Sequence, residues 1–423
     1  MRSSSGRLAS WCGQCRLTVR GEAQRQATRS GPQVRCTFSV ARAWRLAVGP
    51  ASTQTLPLGA HFVTWPTPKF SRSQVSKAGA RLTGKSPTEA LTIEELDDWL
   101  HAYEILANWR ACHGYPINTF QATLRTRLKK IDASALVAQR LKRTPSILNK
   151  LRRFKGMNLA RMQDIGGLRA VVGSVRQLGV LNESYLGTPL THELVSQYDY
   201  VRHPKPSGYR SIHLVYRYKA RNTSPYDGLL LELQLRTRVQ HSWATAVETA
   251  GTFLEHSLKS NEGPEEWLKF FALAGSAFAH LEGSPRVPGF DELSRTETYK
   301  RTEAEARRLR IRDMLIGYSS AVREIAPGTK RAAFYLVELN LNKEEKTVSI
   351  TPFARDQLER ANVAYADVEK QASLTGSQVV LVSAGSIESL KRAYPNYFLD
   401  THEFLRNLSR VERAAESGRA TRG

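Results

Sequence analysis

Two acidic residues near the middle of the chain, Asp164 and Glu232, stand in sequence contexts suited to phosphoryl chemistry. Asp164 precedes a short apolar run typical of a strand, and Glu232 lies in an alternating run whose leucines would occupy the opposite face. Carboxylate oxygens are the ligands that Mg²⁺ prefers, while neighbouring cations neutralise phosphate oxygens. The pair therefore predicts a polyphosphate site with one Mg²⁺, although either acid alone would more often be an ordinary surface charge.

A dense run of basic residues lies just before Asp164. Eleven Lys and Arg stand between residues 124 and 155, where the only acid is Asp132. Cations at this density on helices repel one another unless an anion is bound, so the run predicts a polyphosphate or nucleic-acid partner. The alternative that it forms an ordinary solvated surface stays open at this point.

A mixed α/β core is predicted to position these residues. Thr92 and Glu95 form a capping box that predicts one helix, a second long helix follows a turn at residues 114–116, and a third is predicted at residues 146–154. Short apolar or alternating runs then predict strands at residues 168–172, 198–201, 211–218 and 229–235. The predicted fold class is mixed α/β (α+β), with a mixed sheet flanked by helices.

The second half of the chain predicts more helices and a smaller α/β pattern. Helices are predicted at residues 238–258, 265–281 and 303–325. Strands at 333–339, 347–350 and 379–382 and helices at 355–372, 387–393 and 401–408 are predicted to follow. This last part shows no catalytic constellation, so we expect a structural or regulatory appendage. It could gate the site or bind a neutralising protein partner, and its residues leave both alternatives open.

These patterns divide the chain into six predicted parts. They are a disordered basic extension (1–62), a helical region (63–136), the chemical core (137–257), a second helical region (258–330), a small α/β domain (331–411) and a disordered tail (412–423).

Composition narrows the class of protein. The 423 residues carry a formal net charge of +23, and residues 1–85 hold 14 Lys and Arg against the single acid Glu22. The N-terminal extension could be a transit-like or nucleic-acid-binding arm, or it could precede a true start near Val63. A hydrophobic fraction of 41% indicates a globular protein, and no apolar run approaches the roughly 18 residues that cross a membrane.

The cysteines favour a reducing cytoplasm. Cys12, Cys15, Cys36 and Cys112 provide no disulfide framework for a chain of this size. Cys12 and Cys15 have the spacing of half a zinc knuckle, but no second pair completes the ligand set.

A formal P-loop pattern, GARLTGKS at residues 79–86, is interpreted as a coincidence. A P-loop requires a buried strand before the glycines and a helix that begins at the Lys-Ser pair. Here polar, helix-like residues precede the pattern and Pro87 follows it.

Four motifs in the core stand in a fixed order and carry a resemblance. They are RLKRTPSILNK from Arg140, DIGGLR from Asp164, YDYVRHPKPSGYRSIH from Tyr198 and ELQLRT from Glu232. Over residues 137–247, about a quarter of the chain, they resemble the synthetase domain of RelA/SpoT enzymes, and the flanking segments resemble its small single-domain members. The resemblance implies a nucleotidyltransferase-like fold and a pyrophosphokinase. The chain lacks a His-Asp pair, so the hydrolase of bifunctional relatives is not expected.

The resemblance also implies a role for each matching residue. Asp164 and Glu232 would be catalytic and would hold Mg²⁺, and Glu232 would accept the proton of a 3′-hydroxyl that displaces AMP from the β-phosphorus of ATP. The implied ATP-binding residues are Arg140, Lys142, Ser146 and Lys150. The implied acceptor-binding residues are Lys205, Tyr209, Arg210, His213, Gln234 and Arg236. Tyr209 would stack on the acceptor base, unless it simply packs in the core.

Two departures from the family pattern concern the acceptor. Ser207 stands where many relatives that use guanosine nucleotides have Asn, and the segment at 241–251 lacks a pattern of cations expected near the acceptor 5′-phosphates. The first hypothesis is therefore transfer to GDP or GTP to give (p)ppGpp, and the second is transfer to the 3′-CCA end of tRNA. A third is an inactive nucleotide sensor or RNA-binding protein.

Overall fold

Among the described residues, a nine-stranded mixed sheet is the centre of the fold. The structure is a computed structural model that describes residues 65–84, 92–187, 190–254, 258, 262–320, 322–325, 332–340, 346–375, 377–383, 387–398 and 400–420. The strands are β1 Leu136–Leu141, β2 Gly166–Val172, β3 Glu193–Asp199, β4 Ile212–Arg217, β5 Leu230–Thr237, β6 Val322–Ile325, β7 Phe334–Asn340, β8 Lys346–Phe353 and β9 Gln378–Ser383.

The strand order is β3-β4-β5-β2-β1-β9-β7-β8-β6. The β2–β5 and β6–β8 pairs are parallel, and the other neighbours are antiparallel. The predicted mixed sheet flanked by helices is therefore confirmed.

Helices flank this sheet. They are α1 Arg72–Thr83, α2 Ile93–Cys112, α3 Gly114–Ile131, α4 Thr144–Arg153, α5 Val175–Leu186, α6 Arg238–Phe253, α7 Glu265–Glu282, α8 Arg295–Arg308, α9 Ile311–Ser320, α10 Leu358–Thr375, α11 Ile387–Ala393 and α12 His402–Ala420. Within the described ranges, none has the length and apolarity of a membrane span.

Local sequence explains where several helices begin. Ser71, Thr92 and Thr237 each accept a hydrogen bond from the backbone three residues later and form a capping box. Thr237 is both the last residue of β5 and the N-cap of α6, so the helix follows the strand without a loop. The leucines of β5 pack with α3 and α5 in one hydrophobic cluster, which leaves the opposite face of the strand for polar residues.

The prediction that the basic run at residues 124–155 is helical is wrong for strand β1. Its residues pair with β2 on one side and with β9 on the other, so Arg140 lies on a strand and only the later part of the run forms α4. The ladders on both sides define this strand, and the local sequence shows little alternation. A segment whose high charge suggests an exposed helix can therefore form a central strand of the sheet.

The segment at 331–411 has the predicted α/β composition but extends the same sheet. Strand β9 pairs with β1 at Arg140, and β7 and β8 continue from β9. The predicted division of the chain into domains stays a prediction, and the extension at 1–62 lies outside the described residues.

One helix prediction and the prediction of a disordered tail differ from the structure. The predicted helix at 303–325 is interrupted at Arg310, whose φ of 50° is left-handed, and it ends before β6. The predicted tail from residue 412 is helical through Ala420, because Val411 and Ala415 are fully buried in a cluster with α7. Residues 421–423 lie outside the described residues.

The P-loop-like pattern has no P-loop structure in its described part. Gly79 lies inside α1, where a Cβ would approach Leu159 Cβ to 2.7 Å. The glycine therefore permits close packing of the helix. Lys85 and Ser86 lie outside the described residues.

Candidate active site

A cavity of about 1340 Å³ opens beside the central strands and contains most of the predicted site. The predicted residues on its wall are Arg140, Lys142, Ser146, Lys150, Asp164, Lys205, Tyr209, His213, Glu232 and Gln234. Motifs that lie up to about a hundred residues apart in the sequence thus meet at one surface. Arg210 and Arg236 do not line the cavity.

Asp164 is held between two lysines. Its Oδ2 accepts a 2.8 Å ion pair from Lys142 Nζ, and its Oδ1 accepts one of the same length from Lys150 Nζ. The β1–β2 ladder creates this geometry, because it continues past Leu141 with a 2.8 Å bond from Lys142 N to Ile165 O. Lys150 reaches the same carboxylate from α4.

The two ion pairs set the protonation of this group. Burial by itself raises the pKa of Asp164, but the charges of Lys142 and Lys150 outweigh burial and hold the pKa well below its usual range. Burial also lowers the pKa of Lys142, and Asp164 opposes this effect. Asp164 is thus ionised at neutral pH, with both oxygens occupied by ammonium groups.

Glu232 lies on β5, the neighbour of β2 in the sheet, and is also ionised. Its Oε1 accepts a 2.7 Å bond from His213 Nδ1, and its Oε2 accepts a 2.9 Å bond from Gln234 Nε2. Burial raises the pKa of Glu232, but the bond from His213 outweighs burial and lowers it. The β4–β5 register creates the group, because it places His213 opposite Gln234.

A chain of hydrogen bonds continues from His213 into the core. His213 Nε2 lies 2.7 Å from the Tyr209 hydroxyl, which accepts a 2.8 Å bond from Arg236. Arg236 is only 1% exposed, so it reaches the cavity through Tyr209 rather than directly. The pKa of His213 is raised, because Tyr209 and Glu232 together outweigh the effect of burial.

The loop before Tyr209 packs tightly on α7. Gly208 has a φ of 90°, and a Cβ there would lie 2.8 Å from Phe271 O, while a Cβ on Gly275 would lie 2.7 Å from Gly208 Cα. Two glycines thus allow loop and helix backbones to touch. Tyr209 is 8% exposed and packs against Trp243, so its stacking on an acceptor base stays a prediction.

Arg210 points away from the cavity. Its guanidinium donates to Glu282 at 2.7 Å and to Ser284 Oγ at 2.9 Å. Both partners of the Arg210–Glu282 ion pair are almost fully buried. The structure therefore places Arg210 in the connection between β4 and the end of α7, and direct acceptor contact is not supported.

Several cavity residues were not assigned by sequence reasoning. Arg169 and Tyr200 lie within the quoted motifs, and Glu248 lies in the helix that lacks the family cations. Burial and the nearby charges of Arg236 and Arg140 lower the pKa of Arg169 to about 10, which reflects the concentration of positive charge here. Four more come from the C-terminal segment, where no motif marked them: Gln378, Tyr394, Asn396 and Tyr397.

Asp164 and Glu232 fit a magnesium ion better than a metal held by many protein ligands. No group of three or more His, Cys, Asp or Glu in the described ranges is arranged around a metal position. Mg²⁺ commonly takes one or two carboxylates and completes its shell with water and substrate phosphates. Both acids are ionised and line one cavity, and the charge of Asp164 is close enough to raise the pKa of Glu232.

The part of the chain that carries both carboxylates is similar to known proteins. Residues 139–255 match the family model described as a region found in RelA / SpoT proteins. Those residues are a RelA/SpoT region. The resemblance based on the four motifs is thereby confirmed, and both carboxylates of the cavity lie inside the RelA/SpoT region.

Two curated relatives are similar to part of this chain. The chain is 38% identical over 124 residues to GTP pyrophosphokinase YjbM of Bacillus subtilis (strain 168), which is 29% of this chain and 54% of that protein. It is 32% identical over 113 residues to GTP pyrophosphokinase YwaC of the same organism, which is 25% of this chain and 52% of that protein. The chain thus spans about half the length of the curated relatives that it matches.

Solved structures of similar proteins include small alarmone synthetase 1 from Bacillus subtilis bound to pppGpp. The identity is 28%, the match covers 40% of this chain and 89% of that chain, and the TM-score is 0.36. A second structure of that synthetase is 32% identical over 40% of this chain and 90% of that chain, with a TM-score of 0.33.

Proposed function

We propose that this protein transfers the β,γ-pyrophosphate of ATP to the 3′-hydroxyl of GDP or GTP. The observation that carries the proposal is the meeting of Asp164 and Glu232 on one cavity, surrounded by cations, within the RelA/SpoT region. The names of the curated relatives, both GTP pyrophosphokinases, support the same reaction class.

The donor nucleotide binds beside β1 and α4. Arg140 contacts the adenine, while Lys142 and Lys150 bind phosphate oxygens, and Ser146 on the same helix donates its hydroxyl to them. The lysines are charged and already oriented by Asp164. Phosphate oxygens then take over part of their hydrogen bonding.

Asp164 and Glu232 together would hold one Mg²⁺. When bound, Mg²⁺ would neutralise negative charge on the phosphate groups during transfer. Asp164 could take this role if phosphate oxygens replaced it as the partner of Lys142 and Lys150.

The acceptor binds on the β4–β5 side. Glu232 accepts the proton of the 3′-hydroxyl, whose oxygen bonds to the β-phosphorus as the bond to the α-phosphate oxygen breaks and AMP leaves. His213 and Gln234 hold the Glu232 carboxylate in place, and Lys205 provides a cation. Tyr200 and Tyr209 offer aromatic surface for the acceptor base, and Lys205 Nζ lies 4.3 Å above the Tyr200 ring.

A second candidate acceptor is the 3′ end of tRNA. The residues that line the cavity include Arg152 and Arg153 together with two exposed aromatics, Phe154 (49%) and Tyr198 (42%). Basic and exposed aromatic groups in one cavity suit a single-stranded nucleic acid. The charged residue that α6 contributes to the wall is the acid Glu248, which suits an acceptor without a 5′-polyphosphate.

Labelling experiments separate these proposals. The protein is incubated with Mg²⁺, ATP labelled in the γ-phosphate, and GDP, GTP or bulk tRNA. Label in a guanosine nucleotide supports the first proposal, and label only in tRNA supports the second. If ATP binds but no acceptor is labelled, both proposals fail in favour of a catalytically inactive nucleotide-binding protein. A cytoplasmic location and a regulatory protein partner stay predictions.

A further inference from the structure

The N-terminus of α4 is capped by a residue from far along the chain. Arg143 precedes the helix and makes no side-chain cap, and the first turn contains no acid. Instead, Thr144 N donates a buried 2.8 Å hydrogen bond to Oε1 of Glu369. Glu369 is 5% exposed and lies on α10, outside the RelA/SpoT region.

A small buried cluster holds the Glu369 carboxylate in place. Tyr365, one turn earlier on α10, donates its hydroxyl to the same oxygen of Glu369. The guanidinium of Arg110 lies 4.2 Å above the Tyr365 ring and donates a 2.6 Å bond to Lys142 O. The cluster thus connects α10 both to the start of α4 and to the backbone of Lys142.

The chemistry of a helix N-terminus makes this contact important. The first backbone N–H groups of a helix have no partner within it, and a nearby negative charge stabilises the positive end of the helix dipole. The pKa of Tyr103 beside this group rises to about 12, because of burial first and the negative Glu369 second. Glu369 therefore supplies to α4 the cap and the charge that its own sequence lacks.

We propose that Glu369 is a positioning residue for the donor nucleotide. It acts through α4, since loss of the cap frays the first turn and displaces Ser146 and Lys150 from the phosphate positions. The inference rests on the proposed function of these two residues in ATP binding. It also gives the C-terminal segment a role in the reaction, consistent with the contribution of Tyr394 and Tyr397 to the same cavity wall.

The test compares variants of the full chain. Glu369→Ala removes the cap, Glu369→Gln keeps an accepting oxygen, and Asp367→Ala changes an exposed acid on the same helix as a control. The Kd for AMPCPP, an unreactive ATP analogue, is measured along with kcat and both KM values. For Glu369→Ala we expect the AMPCPP Kd and the ATP KM to rise about tenfold, the range of a lost helix cap. The acceptor KM stays unchanged, Glu369→Gln recovers most of the affinity, and Asp367→Ala behaves as wild type.

An unchanged AMPCPP Kd in a folded Glu369→Ala protein would overturn the inference, and so would a fall in kcat with both KM values unchanged. If Glu369→Ala does not fold, Glu369→Asp replaces it, because it keeps the charge but withdraws the oxygen by one methylene. We then expect the Kd to rise about threefold, and an unchanged Kd overturns the inference. AMPCPP binding requires no acceptor, so a Glu369 effect on binding without any transfer would refute the proposed function alone.

Discussion

The two sides of the cavity are organised by different interactions. On the side proposed to bind ATP, the donor side, Asp164 forms 2.8 Å ion pairs with Lys142 and Lys150, and these side chains keep between 15% and 27% of their surface exposed. On the acceptor side, a chain of hydrogen bonds runs from Glu232 through His213 and Tyr209 to the fully buried Arg236. Charge pairing dominates the first side, and directed hydrogen bonds dominate the second.

This difference has a consequence for how each side works. Both oxygens of Asp164 are paired with lysines, so under the proposed function phosphate would have to replace Asp164 on Lys142 and Lys150 before this carboxylate could hold Mg²⁺. The acceptor side already holds its carboxylate in a fixed position, since two neighbours donate to it. We therefore expect donor-side substitutions to change metal-dependent binding and acceptor-side substitutions to change the chemical step.

The largest effect is expected from Asp164→Asn. It removes a proposed metal ligand, and transfer should fall by roughly 10³-fold or more, since a bound metal supplies several kcal/mol of charge stabilisation. ATP binding without Mg²⁺ should persist or tighten, because both lysines lose their carboxylate partner. Steady-state kinetics and AMPCPP titrations with and without Mg²⁺ measure both effects. Asp97→Asn, at an exposed position on α2, is the control.

Glu232→Gln should lower kcat by roughly 10²- to 10⁴-fold, the usual contribution of a general base. The amide oxygen can still accept from His213, so the fold and the AMPCPP affinity should change little. The transfer rate in a single turnover and the AMPCPP Kd are measured for wild type and Glu232→Gln. If Glu232→Gln keeps the wild-type transfer rate, Glu232 does not accept the proton of the 3′-hydroxyl.

Tyr209→Phe tests the hydrogen-bond chain with a smaller effect. The lost hydroxyl leaves buried Arg236 with one partner fewer, and we expect a stability loss of about 1–3 kcal/mol. The pKa of His213 should fall, because Tyr209 is one of the groups that raise it. The NMR titration of His213 reports this shift, and urea unfolding measures the stability. An unmoved His213 titration would show that Tyr209 is not part of the chain.

The sequence motifs predicted that Asp164, Lys142 and Lys150 belong to one site, and their roles there stay predictions. The three residues come from two motifs, and the structure brings them together because the β1–β2 ladder places Lys142 and α4 places Lys150 beside Asp164. The prediction that Arg210 binds the acceptor is not supported. Its ion-pair partner Glu282 lies outside the motifs, and the alternation of β4 does not show that Arg210 belongs to the loop before the strand. Strand β1 could not be predicted from the sequence, because pairing with β2 and β9, rather than an alternating pattern, defines it.

The C-terminal contribution to the site could not be predicted for the same reason. Glu369 and Tyr394 have no local pattern that distinguishes them from other buried polar residues. Their partners, Thr144 and Gln139, are more than two hundred residues away in the chain. The pairing of β9 with β1 is one of the long-range contacts that bring these segments together.

The smallest predicted effect concerns stability at acid pH. The lowered pKa of Asp164 means that its ion pairs stabilise the fold at pH above about 4, the usual carboxyl pKa, and that this stabilisation is lost as the pH falls toward the lowered pKa. The difference in unfolding free energy between wild type and Asp164→Asn should therefore be full at neutral pH and shrink on acidification. Urea unfolding across that pH range measures it, and a difference that grows at low pH would contradict the ion-pair account.

The most direct test measures both products of the reaction together. The protein is incubated with Mg²⁺, ATP labelled in the γ-phosphate and GDP, and the AMP and the labelled guanosine nucleotide are quantified for wild type and Asp164→Asn. We predict equal amounts of AMP and of pyrophosphorylated product from wild type, and neither from the variant. Formation of ADP instead of AMP, or equal product from Asp164→Asn, would contradict the account.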